Sequence, residues 1–503
     1  MLHHCLYVGF FCLAGAVRFH DLIPDGETHF HGVPVEKYVS SWNRLMEIGH
    51  KLNGNTDSFV RFEDLDWDQE NPRANPFLYQ GDIVLSEEQL DYLVESYEAE
   101  LAAKEKRHFS HLYSISNPNN LWDPSQFPIP WSIDVQDRPA GGVAAIRKGL
   151  ALWEESTCVT FEQNGAGQDG HLKFFNGGGC FSSTGKSLNG PSNNISIGRG
   201  CESSVTIAHE VGHSLGLFHT QNRNDAGQYI DFFMQNVLPG GAGNFGPRTP
   251  AFMPTTRGIP YDYGSAMQYD RFSFAKKKGL ATMLPKDRNY NNTMGEDFEI
   301  AFTDAKEINM MYCDHICPKK LPCLRGGYTD PKDCTKCRCP SGFGGKFCQR
   351  LAETHRADCG DDFLVATSEY QTLAASGNKN CIYRIKAPQG KTIEMILTSA
   401  KFQGGHDGYK SCESARLEIK YGAQFQTAGA RFCPFNLIKR KVMKSLTNDV
   451  LVLYNAFTEL SFPNFSFSLL YKIGNLAYSL TITPFTAISE GGDDRDPCVS
   501  PMK

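Results

Sequence analysis

Between Cys12 and Cys158 the chain has no cysteine, although it carries 17 in 503 residues. The Asp- and Glu-rich stretch 17–107 falls inside that gap. It can therefore form no disulfide and offer no thiolate to a metal. Positive charge is also short: 50 Lys and Arg stand against 56 Asp and Glu, a net charge of −6. That balance argues against a surface built to grip nucleic acid. No apolar run approaches the roughly 20 residues needed to span a bilayer. No unit is tandemly repeated. What remains is ordinary globular composition, 41% hydrophobic and 21% charged, which excludes a mainly disordered or collagenous chain. The length calls for three or four folded units.

The cysteines that are present crowd together. Six lie between Cys317 and Cys348, a density that implies disulfides and an oxidising compartment. The N-terminus agrees. Residues 5–13 (CLYVGFFCL) form a short apolar core before Ala14-Gly15-Ala16, the pattern of a signal peptide over 1–16. The other reading of that segment is a buried N-terminal strand. Asn194, Asn291 and Asn464 begin N-x-[ST] sequons and are candidate glycosylation sites.

Along the chain, Ser86 and Gln89 fit a capping box and start a helix with Leu90, Leu93, Tyr97 and Leu101 at helical spacing. It runs into Lys104-Glu105-Lys106-Arg107, which reads either as a processing site or as a solvated helix end. Pro118, Pro124, Pro128 and Pro130 mark an extended stretch. Val143, Ile146, Leu150 and Trp153 form the stripe of a second helix. Short apolar segments at 158–161, 171–175 and 194–197 read as strands, and 203–215 as a helix. Beyond Cys359 five segments read as strands of a sandwich: CIYRIKA, KTIEMIL, RLEIKYG, VLVLYNAF and FSFSLLYK.

The stretch His209-Glu210-Val211-Gly212-His213-Ser214-Leu215-Gly216-Leu217-Phe218-His219 carries the chemistry. Residues four apart share a helix face, so His209 and His213 can aim both imidazoles at one ion. Glu210 beside them suits a general base. Gly216 permits a left-handed exit from the helix that brings in His219 as third ligand. Three imidazoles leave a tetrahedral zinc one open position, a catalytic arrangement. A bare HExxH occurs by chance. The eleven-residue HExxHxxGxxH followed by Ser265-Ala266-Met267-Gln268-Tyr269 matches the metzincin motif and its Met-turn. His171 and His406 have no ligand spacing and read as surface or packing residues.

These residues, with Arg223 after the third His and Tyr269 two places beyond Met267, resemble the astacin family of zinc endopeptidases. The resemblance implies one Zn²⁺ per chain held by His209, His213 and His219. It also implies Tyr269 as a further, movable ligand that supports the transition state. Phe77-Leu78-Tyr79-Gln80-Gly81-Asp82-Ile83 resembles the family's propeptide motif, implying that Asp82 binds the zinc in a zymogen. Gly178-Gly179-Cys180 and Gly198-Arg199-Gly200-Cys201 resemble two short family motifs, implying Cys158–Cys313 and Cys180–Cys201 pairs. The stretch Asn193 to Gly198 resembles the strand that pairs with extended substrate. Two positions depart from the family: Thr220 replaces the Glu that engages the new N-terminus, and Gln268 replaces a His.

Six cysteines at 317–348 allow fifteen connectivities. Their likeness to an EGF-like module implies 317–334, 323–337 and 339–348. Cys359, Cys381, Cys412 and Cys433 resemble a CUB domain paired 359–381 and 412–433, leaving Cys498 alone. Many CUB domains bind calcium through a Cys-x-Tyr-Asp-Tyr-x-Glu pattern. Here Cys412 to Glu418 reads CESARLE, with Ala415 at the Asp and only Asp407 and Glu413 to compensate. The whole resembles nematode astacins: signal peptide 1–16, propeptide 17–107, protease 108–315, EGF-like module 316–350, CUB domain 351–474 and a tail 475–503. The expected fold class is a two-lobed α+β metzincin protease, a small disulfide-rich module and an all-β sandwich. The expectation is a secreted, extracellular endopeptidase acting on matrix or cuticle proteins, with protein partners through the EGF and CUB parts. The alternative is a non-catalytic matrix binder with a vestigial zinc site. Retention of Glu210 and all three His argues against it.

Overall fold

The computed structural model describes residues 17–474, apart from 25, 53–59, 68–74, 107–120, 166–169, 188–191, 240, 246–256, 296–297, 355–356, 403–411, 413–414, 434–439 and 458–464. The proposed signal peptide, Arg107, Asn464, Asp407, Glu413, His406, Cys498 and the tail lie outside the described residues.

The N-terminal part packs two helices, α1 (Val35–Leu52) and α2 (Glu87–Lys106), around an aromatic core of Phe19, Phe30, Tyr38, Phe62 and Phe77. Helix α1 was not singled out in the sequence, although Tyr38, Leu45 and Ile48 bury one face of it. Helix α2 starts as its capping box requires: Gln89 Oε1 accepts from Ser86 N at 2.8 Å and Ser86 Oγ from Gln89 N at 3.2 Å. Tyr38 Oη donates to Phe77 O at 2.7 Å, tying this core to the segment that follows. That segment ends in strand β1 (Ile83–Val84).

The next body is a mixed sheet with two helices on it. Its strands are β2 (Ile129–Ile133), β3 (Phe161–Glu162), β4 (His171–Phe175), β5 (Cys180–Ser183) and β6 (Ser192–Ile197). Helix α3 (Gly142–Ser156) lies between β2 and β3 in sequence, and α4 (Ser204–Ser214) follows β6. The sheet order is β1-β5-β6-β4-β2-β3, with β5 and β6 antiparallel and every other pair parallel. Strand β6 therefore lies inside the sheet. The expectation that Asn193 to Gly198 pairs with substrate fails, because both its edges are already bonded, to β4 and β5. The strand facing the cleft is β5, and β1 occupies its outer edge.

Helices α3 and α4 approach closely at Gly149, where an added Cβ would lie 2.5 Å from Ile207. Trp153, fully buried, donates from its indole N–H to Ala208 O at 2.8 Å. Ile146, Leu150 and Trp153 face the core as expected, whereas Val143 at the helix start is exposed. His171 is buried on β4 as a packing residue. Below the helices, a loop-rich lobe surrounds Ile230, Tyr261, Tyr269, Phe274 and Met283, and the body closes with α5 (Phe302–Ile308).

Residues 317–348 hold three disulfides, Cys317–Cys334, Cys323–Cys337 and Cys339–Cys348, around two short ribbons. The C-terminal body is a sandwich of β7 (Phe363–Val365), β8 (Gln371–Ser376), β9 (Asn380–Lys386), β10 (Thr392–Lys401), β11 (Arg416–Lys420), β12 (Ala430–Phe432), β13 (Lys441–Lys444), β14 (Asp449–Asn455) and β15 (Ser466–Gly474). Its sheets run β7-β9-β14-β11-β12 and β8-β15-β10-β13. The alternating burial of β15 and β9 is that of strands packed on one face. Cys359–Cys381 and Cys412–Cys433 join its ends, and Cys158–Cys313 and Cys180–Cys201 brace the mixed-sheet body. The fold is thus multidomain: an α+β two-lobed body, a disulfide-rich module and an all-β sandwich.

Candidate active site

Helix α4 begins where Ser203 Oγ accepts the Thr206 N–H at 3.0 Å. It ends where Gly216 takes φ +98°. There Leu217 N donates to Gly212 O at 2.9 Å and Gly216 N to His213 O at 2.7 Å, turning the chain sharply. Trp122 and Tyr312 cap further carbonyls, those of Ser214 and Leu215, at 2.8 Å each. The turn swings His219 back against the face that carries His209 and His213.

The three rings converge. The Nε2 atoms of His213 and His219 lie 3.1 and 3.2 Å from that of His209. A tetrahedral zinc with Zn–N of about 2.0–2.1 Å would set its ligand atoms about 3.3 Å apart. Each Nδ1 faces an oxygen: His209 meets Ala266 O at 2.7 Å, His213 meets Leu217 O at 2.8 Å and His219 meets Gln80 Oε1 at 3.0 Å. These oxygens only accept, so each Nδ1 carries the proton and each Nε2 presents a bare lone pair. Three bare lone pairs at this spacing repel unless a cation sits among them. The donor set fits zinc on that ground.

Asp82 completes the cluster. Its carboxylate lies 3.4, 3.6 and 3.2 Å from the Nε2 atoms of His209, His213 and His219. One ligand atom from each of the four residues falls within 4.8 Å of the others, the one such group among the described residues. Asp82 is 1% exposed, and its Oδ1 has no hydrogen-bond partner. Burial opposes its charge, but positive charge among the rings, a proton on Nε2 or a cation in its place, at His219 first and then at His209 and His213, holds the carboxyl well below its usual range. Burial lowers His219 to about 4, against the pull of Asp82.

A tight hairpin delivers this carboxylate. Tyr79 and Ile83 exchange both backbone hydrogen bonds, at 3.0 and 2.9 Å, and Gln80 and Gly81 between them take φ +50° and +84°. Asp82 O then accepts from Ser182 N at 2.9 Å as β1 joins β5. Gln80 stands in the motif that carries Asp82, but its role there, orienting His219 through its amide oxygen, is seen only in the structure.

Glu210 is fully buried next to His209. Met267 packs beneath the helix, its sulfur 3.1 Å from where a Cβ on Gly212 would stand. Tyr269 lies tilted against His219, ring centroids 4.4 Å apart, and its hydroxyl donates to Gln80 O. Burial, then Asp82 and Glu210, push this phenol well above its usual value, so it stays a donor. Thr220 links the ligand loop to the Met-turn: its N–H donates to Met267 O at 2.9 Å and its hydroxyl to Ser265 Oγ at 2.9 Å. Gln268 Oε1 accepts from Tyr261 Oη at 2.6 Å. Arg223 lies away from the ligands, bonded to Asp225 and to Ile259 O. Of the sequons, Asn194 is exposed on β6 and Asn291 is half-buried beside the sandwich.

A family model described as Astacin, a peptidase family, matches residues 114–313. Zinc metalloproteinase nas-34 of Caenorhabditis elegans is 34% identical over 440 residues, covering 86% of this chain and 71% of that protein. The chain belongs to the astacin family. A second relative, zinc metalloproteinase nas-30 of C. elegans, is 38% identical over 387 residues, 75% of this chain but only 49% of its own length. Among solved structures, high choriolytic enzyme 1, a hatching enzyme zinc-protease of the medaka fish Oryzias latipes, shares 29% identity over 40% of this chain and 93% of its own, with a TM-score of 0.34. As an astacin the chain is a zinc metalloendopeptidase with one zinc per chain. No helix among the described residues is long and apolar enough to cross a membrane.

Proposed function

We propose that the chain is made as a zymogen, exported, and activated to cut extracellular matrix or cuticle proteins. The observation that carries this reading is the buried Asp82 carboxylate set among three imidazoles whose lone pairs all point inward. His209, His213 and His219 hold the zinc, and Asp82 takes the position a substrate or water needs. Residues 17–107 are the propeptide, 108–315 the protease, 316–350 and 351–474 the EGF-like and CUB modules that meet protein partners. Seven disulfides and the apolar N-terminal segment support export.

When bound, zinc supplies Lewis-acid polarisation of the scissile carbonyl and of a water. Glu210 takes that water's proton and returns it to the leaving amine. The Tyr269 phenol, kept protonated by its burial, donates to the oxygen that gains negative charge. Strand β5, vacated by β1, offers backbone partners to an extended substrate. Glu210→Ala tests the scheme. The activated variant should keep one zinc and lose about 10²–10⁴-fold or more in kcat. Cleavage of casein at the parental rate would overturn it, as would parental cleavage by zinc-stripped enzyme.

A further inference from the structure

The sandwich meets the catalytic body at 426–431, a loop running into β12, and Ala428 there lies against Asp262 and Gly264, just before the Met-turn. Ala428 N donates to Asp262 Oδ1 at 3.0 Å. The same oxygen accepts from Gly264 N at 2.9 Å, while Oδ2 accepts from Thr303 Oγ1 at 2.7 Å. Gly264 has no room for a side chain, since an added Cβ would stand 2.5 Å from Ala428 Cβ. The segment is itself held on its C-terminal side. Thr293 Oγ1 donates to Gly429 O at 2.9 Å and accepts from Arg431 N at 3.0 Å, and Gly429 N donates to Glu418 Oε1 at 2.8 Å.

From Asp262 the contacts continue to the metal ligands. Ser265 N donates to Asp262 O at 3.3 Å. Ser265 Oγ and Ala266 N both donate to the buried Asp304 carboxylate, at 2.6 and 2.7 Å. Ala266 O, fixed by that bond, receives the Nδ1 proton of His209 at 2.7 Å.

We propose that the 426–431 loop of the sandwich is a working part of the catalytic centre, with Asp262 as a positioning residue. By filling the space over Gly264 and bonding Asp262, the loop sets the Met-turn, and the Met-turn sets the imidazole of His209. The C-terminal sandwich is then required for chemistry on any substrate, including one too short to touch it. This rests on the zinc-site reading given above.

The test uses the full chain with its N-terminal segment removed by limited proteolysis. Ala428→Pro deletes the N–H that reaches Asp262. Thr293→Val, nearly isosteric, removes the bonds to Gly429 and Arg431 and is read against Asn291→Gln, because both variants remove the Asn291 sequon and only the first frees the loop. Thr427→Ala, on the same loop with its hydroxyl donating to Gln424 O at 3.3 Å, serves as control. Two quantities are read: zinc release to a chelator, and kcat and KM on a short quenched peptide. Couplings of this kind change such quantities by about 2- to 30-fold. Ala428→Pro should release zinc about tenfold faster with kcat about tenfold lower and KM unchanged, Thr293→Val should move both about two- to threefold, and Thr427→Ala should move neither. Folded variants with parental zinc release and kcat would overturn the proposal. A lowered melting temperature with parental zinc release would assign the loop a merely structural role and overturn it too. Should Ala428→Pro not fold, Thr293→Val decides alone. A parent that binds no zinc would instead remove the zinc-site reading, and this inference with it.

Discussion

Asp82 places a carboxylate where burial alone would strongly disfavour its charge, and only positive charge among the three facing imidazoles, a proton or a cation, offsets that cost. Such a group has no reason to stay once its neighbours can be satisfied otherwise, so its hold on the site depends on the whole segment that carries it. If that carboxylate enforces latency, the unprocessed Asp82→Ala chain should cleave a quenched peptide that the unprocessed parent does not. An Asp82→Ala chain as silent as its parent would assign latency to steric cover by the N-terminal body. At this scale the sequence was most readable. Ligand spacing is a local property of one helix and one turn, so His209, His213 and His219 could be named without a fold. Gln80 and Asp304 could not: the first orients His219 from 139 positions away, and the second holds Ser265 from 39. Gln80 lies in the motif that carries Asp82, but nothing there names the ring it meets, and nothing local marks Asp304.

Helix α4 depends on its ending. Gly216 sits at φ +98°, and an added Cβ would stand 3.1 Å from Met311 Cε. A non-glycine residue in left-handed backbone costs about 1–2 kcal/mol before any contact is counted. Gly216→Ala should therefore lower the thermal midpoint by several degrees and displace His219. Zinc affinity, measured by competition with a chromogenic chelator, should fall with it. A variant with parental affinity would show that the turn tolerates the change. Elements with a strong period, such as α3 and the long sandwich strands, were legible because periodicity follows burial directly. The order of strands in the mixed sheet was not. Asn193 to Gly198 has the composition of any short strand, and only the fold shows it enclosed by β4 and β5 while the edge belongs to Cys180–Ser183. Helix α1 was legible in principle, through Tyr38, Leu45 and Ile48, but its stripe is interrupted by polar residues.

Across the whole molecule, the catalytic body and the sandwich share an interior. Tyr290 of the former packs in the core of the latter, and Asp287 Oδ2 accepts from Tyr421 Oη at 2.5 Å. At the centre lies Glu418, buried against Arg431 and Lys420. Burial would raise its carboxyl, yet Arg431, Lys420 and Arg416 bring it from 4.5 down to about 2. Between those values the unfolded chain binds the extra proton. The stability Glu418 contributes is therefore complete above about pH 4.5 and lost as pH falls towards 2, on the order of 3 kcal/mol in all. Denaturation midpoints measured across that range should fall for the parent. Glu418→Gln should start lower and fall less. Equal slopes would show that the pairing is not what sets the acid limb. The same carboxylate bears on calcium. Ala415 brings no oxygen to the position where many CUB domains place an Asp, and Glu418 is already neutralised by cations. Calcium needs six to eight oxygen ligands, so about 1 mM calcium in place of a calcium chelator should leave the sandwich's thermal midpoint unchanged. A saturable rise would reveal ligands elsewhere. The sandwich as a class was legible from its alternating strands. Its docking on the Met-turn was not, because Gly264 and Ala428 acquire their meaning only from each other.

The order of residues along the chain also fixes an order in time. Asp82 precedes His209 by 127 positions, and Cys158 must wait for Cys313, 155 positions later, before its disulfide can close. At a synthesis rate of roughly 5–20 residues per second that wait lasts about 8–30 seconds. The N-terminal stretch 17–107 carries no cysteine and so has no disulfide to wait for. Asp82 is therefore made before any of the three imidazoles it faces, and well before the Cys158–Cys313 disulfide can close.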